Sequence, residues 1–111
     1  MKMGILVLTM GFAGSSAMAA TTASSVVSCI AQVSAYSASN TNPAAACVGV
    51  SDVLATVNCV AQVSQYNSNS NPAEACAGVT SSTLSNVVSC VAQVSQYTSN
   101  KNPAAACAGV Q

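Results

Sequence analysis

The chain has very little charge. Its 111 residues include two basic residues, two acidic residues and no histidine, and the formal net charge is zero. One of the basic residues is Lys2, so Lys101 is the only cation after the amino-terminal segment. A nucleic-acid backbone needs several cationic contacts, and an anionic lipid surface needs a basic cluster. We therefore expect neither as a partner.

Groups that usually carry catalysis are also scarce. Without histidine, the many serines have no ordinary base to activate them. The absence of both histidine and a CxxC motif disfavours a zinc site. Asp52 and Glu74 are the one possible carboxylate pair, but each lies at the start of a predicted helix, where the helix dipole favours negative charge. We predict that the protein is not an enzyme and has no cofactor or metal.

The amino-terminal segment is typical of a secretory signal peptide. Lys2 precedes an apolar run from Met3 to Gly14, and Ala17-Met18-Ala19 has the small-x-small pattern of a cleavage site. The run is too short for the alternative, a membrane anchor. We expect residues 1–19 to be removed and the mature chain to have no transmembrane segment. It would then be secreted, periplasmic or at the cell surface.

The rest of the chain repeats one cysteine-flanked motif. Its first cysteines follow one another at intervals of 30 and 31 residues, and a second cysteine follows each after 18, 17 and 17 residues. A period near 30 is typical of stacked supersecondary units. In a small exported chain, six cysteines indicate three disulfides. We expect pairing within units, with bridges between chains as the alternative. The expected pairs are Cys29–Cys47, Cys59–Cys76 and Cys90–Cys107.

Each unit is predicted to be a pair of helices. Over residues 82–97, a helical period places the valines and Leu84 on one face, and only Ser95 lies on the wrong side. The second helix starts at Asn-Pro-Ala, with asparagine as N-cap and proline at the first position. We expect Glu74 to complete a capping box. A glycine in the left-handed conformation should end each unit. The N-cap asparagines are Asn42, Asn71 and Asn102, and the glycines are Gly49, Gly78 and Gly109.

The predicted fold is therefore all-α, with three tandem disulfide-stapled αα-hairpin repeats in one small domain. Each repeat should have a helix of about four turns, a polar loop and a helix of about two turns. A flexible tail, residues 20–25, should precede them. The repeats are residues 26–50, 51–79 and 80–111.

Two further polar features recur. A glutamine lies at the middle of the polar face of each long helix, either as an indifferent surface residue or as an amide for hydrogen bonds to neighbouring copies. A tyrosine closes each long helix, where its ring would cover the hairpin end and its hydroxyl would reach the polar loop. These possible interface residues are Gln32, Gln62, Gln93, Tyr36, Tyr66 and Tyr97.

The composition favours a structural or surface protein that self-associates, because a surface without charge offers little repulsion between copies. The alternative is a carrier in which the Val/Ala faces surround an apolar ligand. In its small, exported, six-cysteine, Ser/Thr/Ala-rich helical character the chain resembles the elicitins of oomycetes, and this resemblance implies a lipid or sterol ligand. Elicitin cysteines form no tandem repeat, so no residue is carried over. A secreted effector or elicitor is compatible with either function.

Overall fold

The computed structural model describes residues 20–111, so the predicted signal peptide lies outside the described residues. The described chain contains helices and no strand, which confirms the all-α class. Each repeat has one α-helix and, after a loop, one short 3-10 helix that ends at the second cysteine. The α-helices are α1 (Ala23–Val33), α2 (Val53–Val63) and α3 (Leu84–Val94), and the 3-10 helices are Pro43–Cys47, Pro72–Cys76 and Pro103–Cys107, with an extra turn at Ser34–Tyr36.

Both helices of each repeat are shorter than the sequence indicated. The α-helices have 11 residues each, or about three turns. In each repeat the α-helix ends where a serine bonds back to the carbonyl four residues earlier, as Ser64 Oγ does to Val60 O. The second helices have five residues and 3-10 geometry. Five residues between a starting proline and a nearby glycine turn make the short segment in which 3-10 geometry is common.

Two capping predictions are wrong, and one helix starts earlier than predicted. The asparagines before the prolines make no side-chain cap bond, and Glu74 forms no capping box. A capping box instead joins Thr22 and Ser25 and starts α1 at Ala23, inside the segment we assigned to a tail. This start lengthens the first repeat at its amino-terminal end.

The glycine prediction is confirmed. The three glycines near the repeat ends have φ values of 65°, 76° and 84°. This is the left-handed region, which favours glycine because it has no Cβ. In repeat 2, for example, the turn at Gly78 returns the Val79 amide to the Cys76 carbonyl at 3.0 Å. A buried valine follows the glycine in the first two repeats, so the turn also delivers an apolar side chain to the core.

Three disulfides join the α-helix of each repeat to its 3-10 helix, in the predicted pairing. Their Cα–Cα distances are 5.8, 5.8 and 5.9 Å. The α-helices pack in sequence, with α2 against both α1 and α3, and the 3-10 helices stack in the same order. A single core of small residues, chiefly valine, alanine and cystine, runs through the stack. The chain therefore forms a short solenoid whose sulfur bridges lie inside the repeats.

Removal of the central disulfide should strongly destabilise the fold. In Cys59→Ala/Cys76→Ala the cross-link over a 17-residue separation is lost, and we expect the free energy of unfolding to fall by about 3 kcal/mol. Urea unfolding followed by circular dichroism measures this. The matched variant Cys90→Ala/Cys107→Ala, with the same separation, should lose a similar amount. A loss below about 1 kcal/mol in both would contradict the role of the staples.

Candidate functional site

The most developed polar structure in the molecule is the joint between consecutive repeats. Asn40, in the loop of repeat 1, is 3% exposed and makes three hydrogen bonds. Its Nδ2 donates to Tyr36 O at 2.8 Å within its own repeat and to Ser64 Oγ at 2.9 Å in repeat 2. Its Oδ1 accepts from the buried Ala73 N–H at 2.7 Å. One side chain thus joins a loop, an α-helix end and the next 3-10 helix.

The same bridge recurs at the next joint. Asn69, at 2% exposure, donates to Tyr66 O and to Ser95 Oγ at 2.8 Å each, and accepts from Ala104 N at 2.8 Å. Ser95 appeared misplaced in the helical pattern because its partner belongs to another repeat. It is buried, and its hydroxyl is the acceptor for Asn69. Repeats 2 and 3 are therefore joined in the same register as repeats 1 and 2.

A series of hydrogen bonds between consecutive loops, the loop ladder, runs beside these bridges. Thr41 N donates to Ser70 O at 3.1 Å, and Ser70 N donates to Lys101 O at 3.0 Å. One residue further along, the main chain of Asn42 pairs with the side chain of Asn71. Asn42 N donates to Asn71 Oδ1 at 3.1 Å, and Asn71 Nδ2 donates to Asn42 O at 3.0 Å. The loops are thereby hydrogen-bonded to one another along the stack.

In repeats 2 and 3 the ladder explains why the predicted caps are absent. Asn71 N donates to Asn102 Oδ1 at 3.2 Å, so the asparagine oxygen accepts from the preceding repeat and not from its own helix. Asn102 Nδ2 donates to Glu74 Oε1 at 3.2 Å. Glu74 therefore has a structural partner between repeats.

The bridging asparagines were not among the residues predicted to have a role. Asn40, Asn69 and the equivalent Asn100 read as parts of the polar loops, although each lies seven residues before the second cysteine of its repeat. The signal was the motif Asn-x-Asn-Pro-Ala, which occurs in all three repeats. Strict repetition of a polar residue in a loop indicates a required hydrogen bond, since loops otherwise tolerate variation.

The predicted glutamine row is exposed along the α-helices. Gln32 Nε2 and Gln93 Nε2 donate to the serine hydroxyls one turn earlier, Ser28 Oγ and Ser89 Oγ, at 3.2 Å each. Gln62 is likewise exposed. The structure therefore places these side chains on the surface and away from the asparagine bridges.

The tyrosines behave differently along the stack. Tyr36 and Tyr66 are half-buried and pack against the core, whereas Tyr97 is 62% exposed. Among the described residues none of their hydroxyls makes a hydrogen bond, but the carbonyls of Tyr36 and Tyr66 accept from the bridging asparagines. The main chain of these residues, and not the predicted hydroxyl, contacts the polar loop.

A cleft of about 360 Å³ opens at the end of repeat 3. The positions of its apolar residues are covered in the other repeats: Val33 and Val63, which correspond to Val94, are fully buried. The cleft is thus an exposed half of a repeat joint. Its lining residues are Val94, Tyr97, Asn100, Asn102, Pro103 and Ala106.

The two carboxylates have separate hydrogen-bond partners. Asp52 Oδ1 accepts from Ala55 N at 3.0 Å as the N-cap of α2, and Glu74 bonds Asn102 as described. In residues 20–111 no three potential metal-ligating side chains lie together. Every buried side-chain nitrogen or oxygen of this part of the chain has a hydrogen-bond partner.

The three disulfides indicate an extracellular or otherwise oxidising compartment. No helix in the described part of the chain has the length and apolarity to cross a membrane. No protein-family model, curated protein or solved structure matches the chain.

The asparagine bridge should be a main determinant of stability. Asn69→Ala removes three hydrogen bonds and leaves the buried Ala104 N–H without a partner, so we expect a loss of about 2–4 kcal/mol in the free energy of unfolding. Asn100→Ala is the matched control, because this side chain is exposed and should cost less than about 0.5 kcal/mol. Urea titrations at micromolar protein concentration compare the two. Equal losses would show that the bridge contributes nothing specific.

Proposed function

We propose that this protein is an exported, non-enzymatic structural or surface protein that acts by self-association. The observation that carries the proposal is its uncharged, repetitive construction. Disulfides hold each repeat, while amide and backbone groups join the repeats, and after residue 19 the side-chain charges are Asp52, Glu74 and Lys101. Copies of such a molecule meet with little electrostatic repulsion.

Export is part of the proposal. The sequence supports it through the signal-peptide pattern of residues 1–19, and the disulfides are consistent with an oxidising destination. With a single lysine in the described residues, the proposal includes no nucleic-acid partner. The absence of histidine supports a non-catalytic role, since the serines have no ordinary base.

The glutamine row is the proposed contact for side-by-side association. Its three amides lie at equivalent positions of three stacked helices, so they recur with the spacing of the repeat. Amides both donate and accept hydrogen bonds, and a row of them suits a copy of itself. Association along this face would arrange molecules laterally.

A carrier of an apolar ligand is the second candidate function. Its support is the cleft beside Tyr97, whose volume of about 360 Å³ lies in the range of small-molecule sites. Valine, proline and alanine line it, with two asparagines at the edge. A lipid or sterol is the ligand class that fits this lining. An effector or elicitor role would be compatible with either candidate.

Charge on the glutamine row should prevent lateral association. The variant Gln32→Lys/Gln62→Lys/Gln93→Lys adds three like charges to facing surfaces, and salt should partly restore the contact. Lysine and glutamine have similar helix propensities, so the fold should persist. We expect light scattering and native mass spectrometry to show smaller assemblies of the variant than of the parent at low salt.

A matched control places the same charge on another exposed face. Each glutamine is directly preceded by an exposed alanine: Ala31, Ala61 or Ala92. If their triple lysine variant forms equally small assemblies, general repulsion and not the glutamine face explains the effect. If the glutamine variant assembles like the parent, the lateral contact is wrong. Monomers that retain a co-purified lipid would favour the carrier.

A further inference from the structure

We propose that copies of this protein join head to tail, with the open face of repeat 3 seated on the open face of repeat 1 of a second copy. This inference rests on the proposed self-association but assigns its primary contact to the ends of the solenoid and not to the glutamine row. The two ends are the two halves of the joint that already occurs twice inside the molecule.

The face of repeat 3 carries the asparagine half of the bridge. Asn100 corresponds to Asn40 and Asn69 but is exposed, and its Nδ2 contacts only Tyr97 O, at 3.4 Å instead of 2.8 Å. Its Oδ1 accepts no hydrogen bond from the described residues. The side chain therefore lacks the serine and amide partners that bury its counterparts.

The face of repeat 1 carries the complementary half. Ser34 Oγ bonds back to Ile30 O at 2.7 Å, as Ser64 and Ser95 do to their own helices, yet Ser34 is exposed. The Ala44 N–H, which corresponds to those that Asn40 and Asn69 cap, donates to no acceptor among residues 20–111. One asparagine from another copy would satisfy both groups.

The loop ladder also ends with matching groups. Inside the chain, the main-chain N–H of each repeat donates to the following repeat, as Thr41 N does to Ser70 O. In the described chain the N–H groups of Lys101 and Asn102 have no such acceptor. Repeat 1 presents the acceptors that continue the series, Thr41 O and Asn42 Oδ1.

The apolar surfaces match in the same way. Ile30 is 36% exposed at the start of the stack, whereas its counterparts Val60 and Val91 are 0% exposed beneath a preceding repeat. At the other end Ala106 is exposed, whereas Ala46 and Ala75 are 0% exposed. Stacking would thus bury on each face the residue types that internal joints bury.

A second copy is the occupant that this register selects. The donors, acceptors and apolar residues of the two ends occupy the same positions of the repeat motif as the groups that meet at the internal joints. The two ends therefore match in register. Among residues 20–111, Lys101 is the single side-chain charge at the open face of repeat 3, so neither face repels the other. A head-to-tail contact of this kind does not close on itself and produces an open chain of molecules.

The test blocks one face at a time in residues 20–111 with the disulfides formed. Ile30→Lys blocks the face of repeat 1, and Tyr97→Lys blocks the face of repeat 3; both side chains are already exposed, so the fold should tolerate the change. Each variant alone should be monomeric in native mass spectrometry. An equimolar mixture, with one partner labelled with ¹⁵N, should form a one-to-one heterodimer and nothing larger.

Two charged variants away from the end faces serve as controls, and two uncharged variants test the asparagine–serine contact itself. Ala31→Lys and Thr98→Lys add the same charge at exposed positions whose counterparts, Ala61 and Asn67, stay exposed within the stack, and both should assemble like the parent. Ser34→Ala and Asn100→Ala change the bridge without adding charge. Each should weaken association by about tenfold, the effect of a lost hydrogen bond in a buried contact.

The outcomes separate this inference from the proposed function. If the parent assembles and the two blocked variants assemble equally well, or if their mixture forms no heterodimer, the end contact is wrong and self-association by another face stands. A parent that stays monomeric at all concentrations overturns both. A lipid that co-purifies with the parent monomer and is lost in Tyr97→Lys assigns the cleft to a ligand and overturns the end contact.

Discussion

The structure depends on a buried asparagine of one repeat that hydrogen-bonds the next repeat. Each 3-10 helix begins with proline, which has no N–H, and the alanine after it has an N–H without a partner in its own helix. At Ala73 and Ala104 that group is buried, and an unsatisfied buried amide is costly. Asn40 and Asn69 satisfy it from the preceding repeat and hold the end of the next α-helix with the same side chain. The stacking order of the repeats follows from this bond.

The disulfides perform a different task from the asparagines. A five-residue 3-10 helix has little stability by itself, and each bridge ties one to the neighbouring α-helix within the same repeat. Sulfur thus holds the inside of a repeat, and amides hold one repeat to another. The core between them is built of valine and alanine, whose small size allows short helices to approach closely. Neither kind of bond could replace the other, because the disulfides connect helices within a repeat and the asparagines connect consecutive repeats.

This division bears on function because the joint between repeats is neutral and directional. Its groups are backbone amides, asparagines and serines, so it depends little on salt or pH. Every joint has two different sides, one with the bridging asparagine and one with its serine and amide partners, and a stack of any length leaves one of each at its ends. In the proposed end-to-end assembly, these two ends of one stack would meet the ends of other copies.

The sequence by itself determined the features that depend on neighbours in the chain or on strict periodicity. The apolar face of α3, the left-handed glycines such as Gly78 and the cysteine pairing within units all follow from local spacing or from the repeat. Helix lengths and caps were decided by tertiary structure. Asn71 reads as an N-cap, yet its oxygen bonds residue 42, and Ser95 reads as misplaced until Asn69, 26 residues away, reaches it. A local pattern describes what a polar group could bond nearby, but stacking brings competing partners that sequence distance conceals.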